Sequence, residues 1–134
     1  MATMYPFIIS EDPGYLGGQT VRLLEVPIDL QENKQALFAW YAKELKLPEY
    51  FGKNWDSLEE CLLDLSWLSE RRLVIFHRVL PLGLNLKDQQ TYICILARVM
   101  QDWKVDEIHE VTVIFDPACE HSLCSLAKEA GCAE

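Results

Sequence analysis

Basic residues are scarce in this sequence. Twelve lysines and arginines stand against 21 aspartates and glutamates in 134 residues, a formal net charge of −9. Binding a phosphate backbone requires clustered lysine and arginine, so this balance argues against direct nucleic-acid binding and favours a basic protein partner. No apolar run is long enough to span a bilayer, so no membrane insertion is expected. The opening residues MATMYPFIIS lack the basic start and long apolar stretch of a secretion signal. There is no phosphate loop, no dinucleotide fingerprint and no G-x-S-x-G. Nothing in the chain therefore asks for a small-molecule substrate or a cofactor, and the expectation is a protein that is not an enzyme.

Cysteine use points the same way. There are five cysteines, an odd number with no secretion signal, which fits reduced thiols in the cytoplasm. Cys61 and Cys94 lie in apolar helical patterns and read as buried small hydrophobes. Cys119, His121, Cys124 and Cys132 cluster near the end of the chain. They lack paired C-x2-C spacing, so they read as a terminal helix rather than a metal site.

What is present supports one folded domain. Half of the residues are hydrophobic and a quarter charged, enough to bury a core. Val21–Val26, Leu73–Phe76 and Val111–Phe115 read as strands, and Phe7–Ile9 as a possible short edge strand. Asn33 is placed to cap a helix reaching about Leu45, and Asn54 a second from Trp55 to about Leu65. A third helix is expected from about Asp88, with Tyr92, Ile93, Leu96, Val99, Met100 and Trp103 on its core side. A last one spans Ala118 to Ala130. Strands alternating with helices predict an α/β fold: a three-stranded parallel sheet packed by helices. The division expected is an N-terminal extension over 1–20, a domain over 21–116 and a helical tail over 117–134.

The second helix carries the most information. At about 100° per residue, Asp56, Glu60 and Asp64 fall within about 80° of one another, with Glu59 on the flank. Leu58, Leu62 and Leu65 fall on the opposite side. Residues 49–64 hold five acids and one base, a local net of −4. Like charges four apart cost a helix about 0.2–0.5 kcal/mol per pair. Leu63 sits within this acidic face. The ordinary reading of such a run is a solvated polar face; the functional reading is a contact surface for a basic groove. Asp102, Asp106, Glu107 and Glu110 form a second acidic segment before the last strand. His77 with Arg71, Arg72 and Arg78 makes a small basic patch that answers the protein's own acids. No histidine is assigned a catalytic role.

The stretch Leu47-Pro48-Glu49-Tyr50-Phe51-Gly52-Lys53-Asn54-Trp55-Asp56-Ser57-Leu58-Glu59-Glu60-Cys61-Leu62 resembles the barstar family, intracellular inhibitors of the ribonuclease barnase. The resemblance implies a parallel sheet packed by helices. It also implies that this loop and helix plug a nuclease active site. On that basis the partner-binding residues are Tyr50, Gly52 and Asn54 in the loop, and Asp56, Glu59, Glu60 and Asp64 on the helix. Asp56 matches an acid that contacts the enzyme. Glu60 falls where the family places an aspartate that mimics a substrate phosphate, and its extra methylene lengthens the reach. Glu59 replaces an interfacial tryptophan, a role that Trp55 or Trp67 could take over. Asp102 and Glu107 are candidates for a further acid before the last strand. The implied function is stoichiometric inhibition of a basic ribonuclease in the cytoplasm. The alternatives are an immunity protein against a delivered nuclease toxin and a non-inhibitory adaptor to another basic protein.

Overall fold

Two asparagines start the helices they were expected to start. Both hold extended backbone, and their side-chain oxygens accept from Ala36 N and Ser57 N respectively, satisfying amides that the first turn leaves free. In the computed structural model, the described residues are 2–4, 7–11, 21–30, 33–49, 51–105 and 109–130. They form β1 (Ala2–Met4), β2 (Phe7–Ile9), β3 (Val21–Val26), α1 (Lys34–Glu44), α2 (Trp55–Asp64), β4 (Arg72–His77), α3 (Leu86–Val105), β5 (Glu110–Phe115) and α4 (Glu120–Ala130). A 3-10 turn, Pro117–Cys119, leads into α4.

The sheet order is β1-β2-β5-β4-β3. The three expected strands form its parallel centre, with Leu24 opposite Ile75 and Ile75 opposite Val113. The sheet is larger than expected. β2 adds a fourth parallel strand beside β5, and β1 adds an antiparallel edge. A three-residue strand carries almost no periodic signal, and its partner lies about a hundred residues away in sequence. The N-terminal segment thus covers the flank of β5. Phe7 is buried there, edge-on to Phe115 with ring centroids 5.1 Å apart.

Alternation along the strands divides the core. Leu24, Val26, Leu73, Ile75, Val111, Val113 and Phe115 belong to one large cluster with Leu37 and Phe38 of α1, Leu58 and Leu62 of α2, and Leu96 and Val99 of α3. Val74, Phe76 and Ile114 point the other way and form a second buried cluster. Leu73 to Phe76 are all at most 2% exposed, as a strand buried on both faces requires. The tail is part of this fold, because α4 packs on α3 and buries Leu123 and Leu126.

The cysteine readings need correction. Cys61 is a buried thiol outside any disulfide, but Cys94 is half-buried and disulfide-bonded. Cys119 is buried while His121 and Cys124 are exposed, so the helix does not gather them. Cys132 lies outside the described residues.

His77 also departs from its expected place. It is fully buried on the helix-facing side of β4 and not in a surface basic patch. Arg72 and Arg78 do meet the protein's own acids, at Glu110 and at Glu25 and Asp116. The reason for the error lies in the strand period, since His77 follows Leu73 and Ile75 onto the inner face. Its Nδ1 is 3.3 Å from the Ile114 carbonyl and its Nε2 is 2.8 Å from the Tyr92 hydroxyl, which is 2.6 Å from that of Tyr41. A carbonyl only accepts, so Nδ1 carries the proton, Tyr92 donates to Nε2, and Tyr41 donates to Tyr92. Burial pushes the imidazole down to about 3, with the Ile114 carbonyl opposing in part. Burial raises both tyrosines as well.

The unfolded histidine titrates near 6.5, so the unfolded chain takes up this proton first as the pH falls. The His77 contribution is complete above pH 6.5 and is lost progressively down to about 3. Urea unfolding at pH 7 and pH 5 is expected to differ by about 2 kcal/mol from this residue alone, at about 1.4 kcal/mol per pH unit. A His77→Gln variant should lack that slope. An identical slope in the variant would place the pH dependence elsewhere.

Candidate protein-interaction site

α2 is fixed from one side and open on the other. Leu58, Cys61 and Leu62 are fully buried beneath it. Asp56, Glu60 and Asp64 are exposed above it, as the helical spacing predicts. Burying the apolar side locks the rotation of the helix, so the carboxylates cannot turn away from solvent. Leu63 is a correction. It was read as part of the acidic face, but it is half-buried and packs on the edge of the core.

The entry loop is held by short bonds. Phe51 N–H donates to the Pro48 carbonyl at 3.0 Å. Gly52 N–H donates to Ser57 Oγ at 2.7 Å, and Asn54 Nδ2 donates to the Gly52 carbonyl at 3.3 Å. A Cβ on Gly52 would lie 3.1 Å from Asn54 Nδ2, closer than an ordinary contact. The left-handed residue of the turn is Lys53, with φ of 54°. A side chain in that region costs about 1–2 kcal/mol, which the bonds on either side offset. Gly52, Lys53 and Asn54 are all exposed at the N-terminal end of α2. Tyr50 lies outside the described residues.

α3 runs parallel beside α2 and completes the surface. The contacts climb together. Trp55 Nε1 donates to Asp88 at 3.4 Å, Glu59 meets Arg98, and Trp103 Nε1 donates to the Leu62 carbonyl at 2.8 Å. The Glu59–Arg98 pair is two-pronged, with Nε to Oε2 at 2.8 Å and Nη2 to Oε1 at 3.0 Å. That bond, and the nearby charges of Asp102 and Asp56, raise the guanidinium's affinity for its proton. The second acidic segment therefore reaches the first through exposed Asp102 on α3. Asp106 and Glu107 lie outside the described residues. Among the described residues no cation pairs with Glu60.

The two tryptophans considered as anchors are both tied inward. Trp55 stacks edge-on to Phe38 at 4.8 Å, and Trp67 Nε1 donates to the Leu45 carbonyl at 2.9 Å. Arg98 is the residue that sequence reading missed. Its spacing of four from Asp102 along α3 was the available signal. Its partner on α2 was not legible, because nothing local sets which helix lies alongside.

A family model described as Barstar (barnase inhibitor) matches residues 21–116. The chain belongs to the barstar family. The match begins at β3 and ends just after β5, so it spans the parallel centre of the sheet, α1, α2 and α3. β1, β2 and α4 are additions to that barstar frame. No curated protein matched the chain in sequence. Barstar family members are described as inhibitors, which places this chain with proteins that bind an enzyme rather than act as one. Among the described residues, no helix is long and apolar enough to cross a membrane.

Proposed function

We propose that this protein inhibits a basic ribonuclease by seating the 50–54 loop and α2 in its active-site cleft. The single observation that carries the reading is the orientation of α2 within a barstar-family fold: Asp56, Glu60 and Asp64 exposed, Leu58 and Leu62 fully buried. Asp56 and Glu60 occupy the positions of two substrate phosphates and pair with the cations that hold RNA. Tyr50, Gly52 and Asn54 fill the mouth of the cleft, Asp64 extends the acidic row, and Glu59 borders the contact in its pair with Arg98. Inhibition is steric and electrostatic, requires no cofactor, and takes place in the cytoplasm of the producing cell. Immunity against a delivered nuclease would use the same contacts.

A field of this kind accelerates encounter and is screened over roughly 8 Å at physiological ionic strength. Stopped-flow association with the nuclease is therefore expected to slow by about tenfold or more from low salt to about 0.5 M. An association rate indifferent to salt would contradict the electrostatic part of the proposal.

A further inference from the structure

Arg98 stands among carboxylates, yet the helices that carry it do not need it in order to pack. Trp103 bonds to the Leu62 carbonyl, Trp55 lies against Tyr92, and Leu58, Leu62, Ile95 and Val99 are buried. An ion pair whose arginine is 51% exposed adds little to stability. Its consequence lies in the field it shapes. Glu59 engages one edge of the guanidinium, through Nε and Nη2. The side chain is half-exposed, and neither bond to Glu59 uses Nη1. Asp56 stands three residues before Glu59 on α2, and Asp102 one turn beyond Arg98 on α3.

We infer that Arg98 is a specificity-determining residue of the inhibitory face, withdrawing Glu59 from the partner and holding a fixed positive charge between Asp56 and Asp102. The inference rests on the reading that α2 binds a nuclease. A nuclease with a lysine or arginine opposite this point is repelled. One with a carboxylate or a backbone carbonyl there gains a hydrogen bond to the open edge of the guanidinium. Discrimination of this kind combines an attraction with a built-in repulsion. The nuclease that this chain serves therefore carries an acceptor at one point of an otherwise basic cleft.

The test uses catalytically inactivated barnase as the probe. Its binding is measured to the unmodified protein and to Arg98→Ala, Arg98→Lys and Asp56→Ala/Glu60→Ala, at low and physiological salt. Thermal unfolding of each checks that the fold is kept. Arg98→Ala is expected to bind about tenfold or more tighter, through faster association that salt suppresses. Arg98→Lys keeps the charge and should stay near the unmodified protein. Binding by Arg98→Ala alone would support the inference equally. If Arg98→Ala binds no tighter while Asp56→Ala/Glu60→Ala binds more weakly, the inference fails and the inhibitory face stands. An equal gain in Arg98→Lys would overturn the role of the charge. Failure of every form to bind would overturn the inference, and full binding by Asp56→Ala/Glu60→Ala would remove both the inference and the inhibitory face.

Discussion

Replacing Glu60 with alanine is expected to weaken nuclease binding by about 2–5 kcal/mol, or roughly 30- to 5,000-fold, a general magnitude drawn from interfaces of which barnase–barstar is one. Most of the loss should appear as faster dissociation. The nuclease cations it leaves behind are desolvated and unpaired, which costs more than the pair was worth. Asp56→Ala should act in the same direction. Neither change should disturb the fold, because both side chains are exposed and surface substitutions usually stay within about ±0.5 kcal/mol. Asp56 does have one structural tie, since it lies in the first turn of α2 and favours the positive end of the helix dipole. Calorimetric titration paired with urea unfolding separates the two effects. If either alanine variant unfolded, its carboxylate would be structural and the assignment of the face would be lost.

Leu62→Ala should give the opposite pattern. Leu62 is fully buried, and its carbonyl accepts the Trp103 indole N–H. Truncation removes buried methyl groups and leaves a cavity in the core that the packed neighbours refill only in part. The expected cost is about 2–5 kcal/mol. It should appear as a lower urea midpoint with an unchanged slope. Binding of the fraction that remains folded should stay near that of the unmodified protein, since α2 keeps its outward carboxylates. A Leu62→Ala variant as stable as the parent would mean that the apolar side of α2 does not anchor the helix. The acidic face would then have no fixed direction.

The parts legible in the sequence were those with a local cause. Asn54 followed by Asp56 and an apolar stripe at Leu58, Leu62 and Leu65 gave the cap, the buried side and the acidic side of α2 together. The run Leu73–Phe76 read as a strand buried on both faces because four apolar residues succeed one another without a polar break. What failed depended on distant partners. The pairing of β2 with β5 joins Ile8 to Ile114 and leaves no local trace. His77 looked like one more charge beside Arg78, and only the strand period tied to Tyr92 and Tyr41 makes it a neutral core group. Glu59 was read on the flank of the acidic stripe, and its position turns it toward α3 and into the grip of Arg98. In the entry loop Lys53 takes the left-handed backbone and Gly52 supplies the close approach to Asn54, a division of roles that the sequence does not show.

The central claim is that one copy of this protein closes one ribonuclease active site through Asp56 and Glu60. The most direct measurement is an RNA-cleavage titration of small basic ribonucleases, barnase first, with increasing amounts of the purified protein. The account predicts that cleavage by the recognised nuclease falls linearly to zero at one inhibitor per enzyme. It also predicts that Asp56→Ala/Glu60→Ala leaves cleavage running at the same ratio. Undiminished cleavage across the set at a large excess of folded protein would contradict it, as would equal inhibition by the double variant.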